Sequence, residues 1–315
     1  CQKSHGNQGE NMTQDAKQYD LIVIGQGPAG ISAAIYAVRS GLRVLAIARD
    51  RGSLDKADKI ENYYGFVDPI SGNDLLDRGI AQAQRLGVDT LAAEVTGVVW
   101  LEGFTVETTQ GDYAASTLIL ALGMPRRKTS IKGLDDFEGR GVSYCATCDG
   151  FFYRGKSVAV VGNGEYAVKE ASELKHIAAE VIIMTNGRPL EASGSDPQMR
   201  INQSKILKAE GDEDKIRRLI TTDGPLEVDG VFVAEGTASA LDLALKLGIE
   251  NDGKVILTDA NQQTNLPGLF AAGDCTGGLL QVAVAVGEGA KAGMAAAGFV
   301  RKLQGGREPT VQWGG

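Results

Sequence analysis

The sequence predicts an α/β fold built from two strand–helix–strand units. Three observations predict it. Near the N-terminus an apolar, strand-like run leads into a G-x-G-x-x-G loop, a helical stretch and a second strand-like run. The same order returns at residues 156–184 with G-x-G-x-x-A. Glycine is also in excess: there are 42 in 315 residues, where a usual share of about 7% would give about 22. Such an excess without a repeat points to tight turns and to backbone that approaches a ligand closely.

Composition narrows the function. At about 150 residues per domain the length suggests two domains. The net charge of −8 and the pI near 5.0 argue against a general nucleic-acid binder or a membrane-surface protein, which want a basic face. No apolar run reaches the roughly 18 residues of a membrane span. The 43% hydrophobic and 23% charged fractions are those of a globular protein. Four cysteines are too few for a disulfide scaffold.

Residues 1–18 are polar and lack the apolar core of a signal peptide, so they are expected to form a disordered tail. Met12 is the expected native start; a mature lipoprotein would also begin with Cys1 and polar residues. Residues 19–24 (YDLIVI) then read as a strand buried on both faces. Gly25, Gln26, Gly27, Pro28, Ala29 and Gly30 follow, then an Ala-rich helix over 31–39 and a strand over 43–48. In this context Gly25 permits the turn, Gly27 admits pyrophosphate, and Gly30 lets helix and strand pack closely. The amides at the helix start bind phosphate. The competing reading is a tight turn in an unliganded fold. Ala48 stands where an acid for the ribose usually ends the second strand. Asp50 can still reach the ribose or be a solvated loop carboxylate.

Cys145-Ala146-Thr147-Cys148-Asp149-Gly150 is the sharpest signal. Two thiols at this spacing can close a small reversible disulfide. Half a zinc site and two structural thiols are the alternatives. Zinc needs two more ligands, and Cys1, Cys275, His5 and His176 do not pair at ligand spacing, so no metal is expected. Asp149 can exchange the proton during thiol chemistry or serve as a turn residue.

Residues 156–161 lead into Gly162, Asn163, Gly164, Glu165, Tyr166 and Ala167, a helix to about His176, and a strand over 181–184. Tyr166 is bulky where close phosphate contact needs a small residue. Beyond the strand stand Thr185, Asn186, Gly187 and Arg188, with Glu191 the nearest acid. Neither the basic cluster for a 2′-phosphate nor the acid for a free ribose is clear, so NAD(P)H is doubtful.

In the C-terminal half a turn at 211–212 joins two strands, 228–233 is strand-like, and 240–247 is a helix stopped by Gly248. Gly273-Asp274 puts a carboxylate at a strand end, where cofactor hydroxyls can bind. Residues 281–297 form a helix rich in small residues that is expected against the cofactor. Cys275 reads as a buried small residue rather than a third redox thiol. Arg126-Arg127-Lys128 is a solvated face or a dock for an acidic electron carrier. Trp313 is disordered or stacks on a flavin or across a dimer.

With G-x-G-P-A-G, CATCDG and AAGD in place, the chain resembles the low-molecular-weight thioredoxin reductase family from about residue 19 to 303. Residues 60–66 are similar to its flavin loop and bring in Asn62. Residues 120–123 resemble its strand before the crossover and bring in Gly123. The resemblance implies two Rossmann-like three-layer domains of FAD/NAD(P)-binding, thioredoxin-reductase type, the second inserted into the first. It implies a discontinuous FAD domain over 19–128 and 234–304. It also implies an inserted domain over 129–233 that carries the C-x-x-C and a vestigial nucleotide fold, with a tail over 305–315. FAD contacts are expected at Gly25, Gly27, Pro28, Ala29, Gly30, Asn62, Gly123, Gly273, Asp274 and Gln281. Electrons would pass from a donor to FAD, to the cysteines, and to a thioredoxin-like protein. Cys148 would face the flavin and Cys145 would attack the partner, the inserted domain rotating between the two tasks. A homodimer in the cytoplasm is expected.

The departures matter. Thr185-Asn186-Gly187 stands where NADPH-dependent members carry His-Arg-Arg, and Tyr166 replaces their serine. Their Gly-Gly-Gln-Leu segment is missing at 50–59, and their Arg-Gln pair reads Leu280-Gln281. The pattern, with GDCTGG…AVGEG at 273–289, resembles the branch without pyridine nucleotides, reduced by ferredoxin or carrying a second flavin. An NAD(P)H-dependent reductase with an atypical pocket and a redox-sensing flavoprotein without turnover are the alternatives.

Overall fold

The computed structural model describes residues 17–123, 129–192 and 199–306. Residues 1–16, the basic run at 126–128 and Trp313 lie outside the described residues.

The first body starts with β1 (Lys17–Ile24), α1 (Pro28–Arg39), β2 (Val44–Ala48), α2 (Gly72–Arg85) and β3 (Asp89–Ala92). An antiparallel meander follows: β4 (Val95–Trp100), β5 (Phe104–Thr108) and β6 (Gly111–Leu120). The second body contains β7 (Val142–Ser143), α3 (Ala146–Asp149), β8 (Ser157–Val161), α4 (Glu165–Lys175), β9 (Glu180–Met184) and β10 (Arg200–Asn202). It continues through β11 (Ile206–Gly211), β12 (Ile216–Thr221), β13 (Gly224–Glu227) and β14 (Gly230–Val233). The chain then passes α5 (Ala240–Lys246), β15 (Leu269–Ala271) and α6 (Val282–Leu303).

The first sheet has the order β3-β2-β1-β6-β5-β4, with β15 also paired to β6. It therefore takes strands from both ends of the chain. The second sheet, β10-β9-β8-β14-β7, is wholly parallel. The strands β11-β12-β13 form a separate antiparallel sheet. The α/β class expected from the sequence is observed. The expected N-terminal tail is two residues too long, because Lys17 and Gln18 pair with Tyr113 and Ala114 of β6.

Strand alternation distributes the core. Leu21 and Val23 of β1 pack with α1 and α6, while Ile22 and Ile24 point into the opposite cluster. Val158 and Val160 of β8 enter that same cluster, and Ala159 and Val161 face the antiparallel sheet. One apolar layer is thus shared by the first and second sheets, and α4 and α5 lie in it through Tyr166, Leu174 and Leu243. The small residues of α6 have a packing reason. A Cβ on Gly289 would lie 2.1 Å from the Ala29 carbonyl oxygen, and one on Gly293 would lie 2.3 Å from that of Ala33. Helix α6 therefore rests on the backbone of α1, and so supports the loop that precedes it.

Candidate active site

The first glycine loop leaves β1 at Gly25, whose φ of +115° and close approach to Ala121 exclude a side chain; a Cβ would meet the Ala121 oxygen at 2.1 Å. At Gly30 a Cβ would lie 1.9 Å from the Gly25 oxygen. Gly27 differs, for nothing lies within 4 Å of its Cβ position. It is the N-cap of α1, no side chain caps the helix, and no acid stands in its first turn. With Pro28 lacking an N–H, the free amides at this end belong to residues such as Ala29 and Gly30. That is a helix start suited to an anion.

The ends of β1, β6 and β15 lie side by side, with Ile24 opposite Leu120 and Leu120 opposite Ala271. This gathers Gly25, Gly123, Gly273 and Asp274 at one sheet edge. The Gly273 amide donates to Glu288 at 2.8 Å, and burial pushes the Asp274 carboxyl up. Asn62 Nδ2 donates to Gln281 Oε1 at 2.8 Å across 219 residues of sequence. A cavity of about 340 Å³ adjoins the loop, lined by Gly27, Pro28, Tyr63, Phe66, Val282 and Val286 among others. A second, of about 190 Å³, lies at the ends of β2 and β3 beside Gln26, Arg49, Asp50 and Ala92. Asp50 pairs with Arg49 at 3.1 Å and accepts from the Gly52 amide at 2.9 Å. An open glycine at an uncapped helix start, with an acid at the neighbouring strand end, fits the diphosphate and hydroxyls of a dinucleotide cofactor.

Cys145 and Cys148 form a disulfide. Cys145 is 3% exposed and caps α3, its sulfur accepting from the Cys148 amide at 3.1 Å. Cys148 is exposed, with its sulfur 3.8 Å from the Leu245 carbonyl of α5. Ser143 Oγ donates to Asp149 Oδ2 at 2.7 Å and accepts from the Cys145 amide at 3.1 Å. The Ala146 amide donates to Glu170 Oε2 at 2.8 Å. Glu170 is ion-paired with Lys246 of α5, and Glu173 lies 3.6 Å from the same ammonium. Burial pushes the Glu170 carboxyl up and Lys246 opposes that shift. Immediately after the pair, Phe151 and Phe152 are 65% and 68% exposed. Cys275 is buried against the carbonyls of Leu120 and Ala272, and burial pushes its thiol up to about 12. It is a packing residue, not a nucleophile. No cluster able to hold a metal occurs among the described residues.

The second glycine loop is built differently. Gly164 is the N-cap of α4, Glu165 stands in its first turn, and the Tyr166 side chain is fully buried with Lys246 Nζ 5.4 Å from its ring centroid. Thr185, just past β9, is buried and donates to the Arg188 carbonyl at 2.6 Å.

The sequence family described as pyridine nucleotide-disulphide oxidoreductase matches residues 19–289. A thioredoxin reductase of Listeria monocytogenes serovar 1/2a is 36% identical, over 93% of this chain and 97% of its own. The chain belongs to the thioredoxin reductase family. It is accordingly a flavin-dependent disulfide oxidoreductase of thioredoxin reductase type. Among solved structures, an atypical thioredoxin reductase from Desulfovibrio vulgaris Hildenborough is 41% identical with a TM-score of 0.84, covering 90% of this chain and 98% of that one. A ferredoxin-flavin thioredoxin reductase from Clostridium acetobutylicum is 34% identical with a TM-score of 0.67, covering 92% and 99%.

The sequence pattern does not mark Glu170 or Lys246, which hold the start of the disulfide helix. Their signal is weak in one dimension: Glu170 is one of several charges along α4, Lys246 ends a leucine-rich helix, and only the fold pairs them.

Proposed function

We propose that this thioredoxin reductase passes electrons from FAD through the Cys145–Cys148 pair to a thioredoxin-like protein, with a donor other than NAD(P)H. The donor is reduced ferredoxin or a second flavin. The observation that carries the reading is Tyr166, fully buried at the second glycine loop and followed in the chain by no basic cluster. An acid at position 165 adds a charge that repels a pyrophosphate. The likeness to a relative whose name links it to ferredoxin and flavin supports the same branch.

In this reading 19–128 with 234–304 is the FAD domain and 129–233 the inserted one. Gly25, Gly27, Pro28, Ala29, Gly30, Asn62, Gly123, Gly273, Asp274 and Gln281 hold FAD, which supplies a two-electron carrier when bound. Reduced Cys145 attacks the partner disulfide as a thiolate, and one partner sulfur leaves as its S–S bond breaks. Cys148 then attacks the Cys145 sulfur, re-forming the internal disulfide and releasing the partner with two thiols. Asp149 holds and returns the proton. Because Cys145 is buried here and Cys148 exposed, Cys145 meets a partner only after the inserted domain turns. The exposed Phe151 and Phe152 offer an apolar dock beside the pair. Exposed Tyr64, Val67 and Leu279, near the Asn62–Gln281 bond, favour a homodimer. The location is cytoplasmic. Anaerobic titration of the flavin with each donor tests the reading.

A further inference from the structure

Helix α3 is held through the two residues between its cysteines. The Ala146 amide donates to Glu170 Oε2 at 2.8 Å, and Thr147 Oγ1 donates to Glu173 Oε2 at 2.6 Å. Both glutamates stand on α4, at a spacing that puts them on one helix face. Each turns its other oxygen to the same cation. Lys246 Nζ pairs with Glu170 Oε1 and lies 3.6 Å from Glu173 Oε1. Each carboxylate thus gives one oxygen to the cysteine segment and the other to Lys246.

Lys246 comes from outside the second body. It ends α5, which packs on β4 of the first sheet. Just beyond it, the Gly248 carbonyl accepts from Asn265 Nδ2 at 3.1 Å and the Glu250 amide donates to Asn265 Oδ1 at 2.9 Å. The neighbouring Leu245 carbonyl lies 3.8 Å from the Cys148 sulfur. One end of α5 therefore meets the disulfide directly and through both glutamates. A second ion pair, Lys169 of α4 with Glu107 of β5 at 2.9 Å, joins the second body to the first through other residues.

The Lys246 side chain is 9% exposed and that of Glu170 2%. A carboxylate so buried is strongly destabilised without its cation, and Glu173 adds a like charge beside it. Moving the second body away from α5 separates Lys246 from both. The clamp therefore favours the orientation seen here, in which Cys145 is shielded.

We propose that Lys246 is a positioning residue for the thiol chemistry: by neutralising Glu170 and Glu173 together it holds the Cys145–Cys148 segment against α5, and so governs how often the second body turns to present Cys145. The inference rests on the reading that such a turn precedes attack on the partner.

Alkylation of Cys145 by iodoacetamide tests it, in the FAD-loaded full chain carrying Cys148→Ser, with each cysteine followed by peptide mass spectrometry. Adding Lys246→Met is expected to speed the alkylation of Cys145 about tenfold or more. Lys246→Arg, which keeps the charge, is expected to recover most of the shielding. Glu173→Gln weakens the clamp at its more open side and is expected to act in the direction of Lys246→Met by a smaller factor. In Lys246→Met molecules whose Lys169 and Glu107 have been joined by a zero-length carbodiimide cross-link, the rate is expected to fall back to that of the parent, because the bodies can no longer part. Unchanged rates in both Lys246→Met and Glu173→Gln would overturn the proposal. So would alkylation that stays fast in the cross-linked molecules, which would mean that α3 frays in place. Alkylation of the parent as fast as that of the urea-unfolded chain would mean that Cys145 is never shielded, and would overturn the turning reading and the proposal with it.

Discussion

The backbone amide of Ala146, next to the first redox cysteine, donates to Glu170 Oε2 at 2.8 Å, and the carboxylate is held in turn by Lys246. The helix that carries the disulfide is therefore anchored through a buried ion pair to α5. Glu170 is 2% exposed and Lys246 9% exposed at the side chain. Lys246→Met leaves a buried carboxylate without its cation, which is expected to cost about 3–5 kcal/mol. The double variant with Glu170→Gln is expected to recover much of that loss. Chemical denaturation of the wild type, the two single variants Lys246→Met and Glu170→Gln, and the double variant checks both statements.

The carboxyl of Glu94 is pushed up from 4.5, chiefly by burial, against the pull of Arg49. Folding with a raised carboxyl favours the protonated form. Its stability contribution is thus present below the ordinary carboxylate value and lost as pH climbs through the raised one. Glu94→Gln removes this term. The variant's melting temperature is expected to depend less on pH above the ordinary carboxylate range than that of the wild type, as thermal melts over rising pH would show.

Two glycines separate binding from packing. Nothing lies within 4 Å of a Cβ at Gly27, whereas one at Gly289 would lie 2.1 Å from the Ala29 oxygen. Gly27→Ala is expected to fold with stability changed by less than about 1 kcal/mol and to lose FAD affinity. Gly289→Ala forces α6 off α1 and is expected to cost about 1–3 kcal/mol. Flavin content and melting temperature of both variants separate the effects.

The cysteine roles are tested by trapping. Cys148→Ser leaves Cys145 to form a mixed disulfide that nothing resolves. Accumulation of a covalent complex with a thioredoxin-like substrate is expected for Cys148→Ser and not for Cys145→Ser. Both variants are expected to retain bound flavin, seen in their absorbance spectra.

Much of this architecture is legible in the sequence where local and tertiary signals agree. The run 21–24 is wholly apolar because β1 is covered on both faces by separate clusters, and the spacing of Gly25 and Gly30 is legible because the two approach each other within the loop itself. The meander β4–β6 was not legible. Its last strand, Gly111–Leu120, changes from exposed or half-buried residues to fully buried ones along its length, so neither alternation nor a continuous apolar run marks it. Helix α2 buries Gly72, Leu76 and Ala83 but few large apolar residues. At the site, Asn62 and Gln281 were singled out separately, and only the fold brings them to 2.8 Å.

The central claim is the identity of the donor, and anaerobic absorbance titration of the purified flavoprotein tests it most directly. Flavin is counted per chain, and NADPH, NADH and reduced ferredoxin are added in turn. The account expects bleaching of the flavin by ferredoxin or by reduction of a second bound flavin, and none by either nicotinamide at physiological concentration. Prompt bleaching by NADPH or NADH would contradict it, and would mean that the loop around Tyr166 opens to a nucleotide after all.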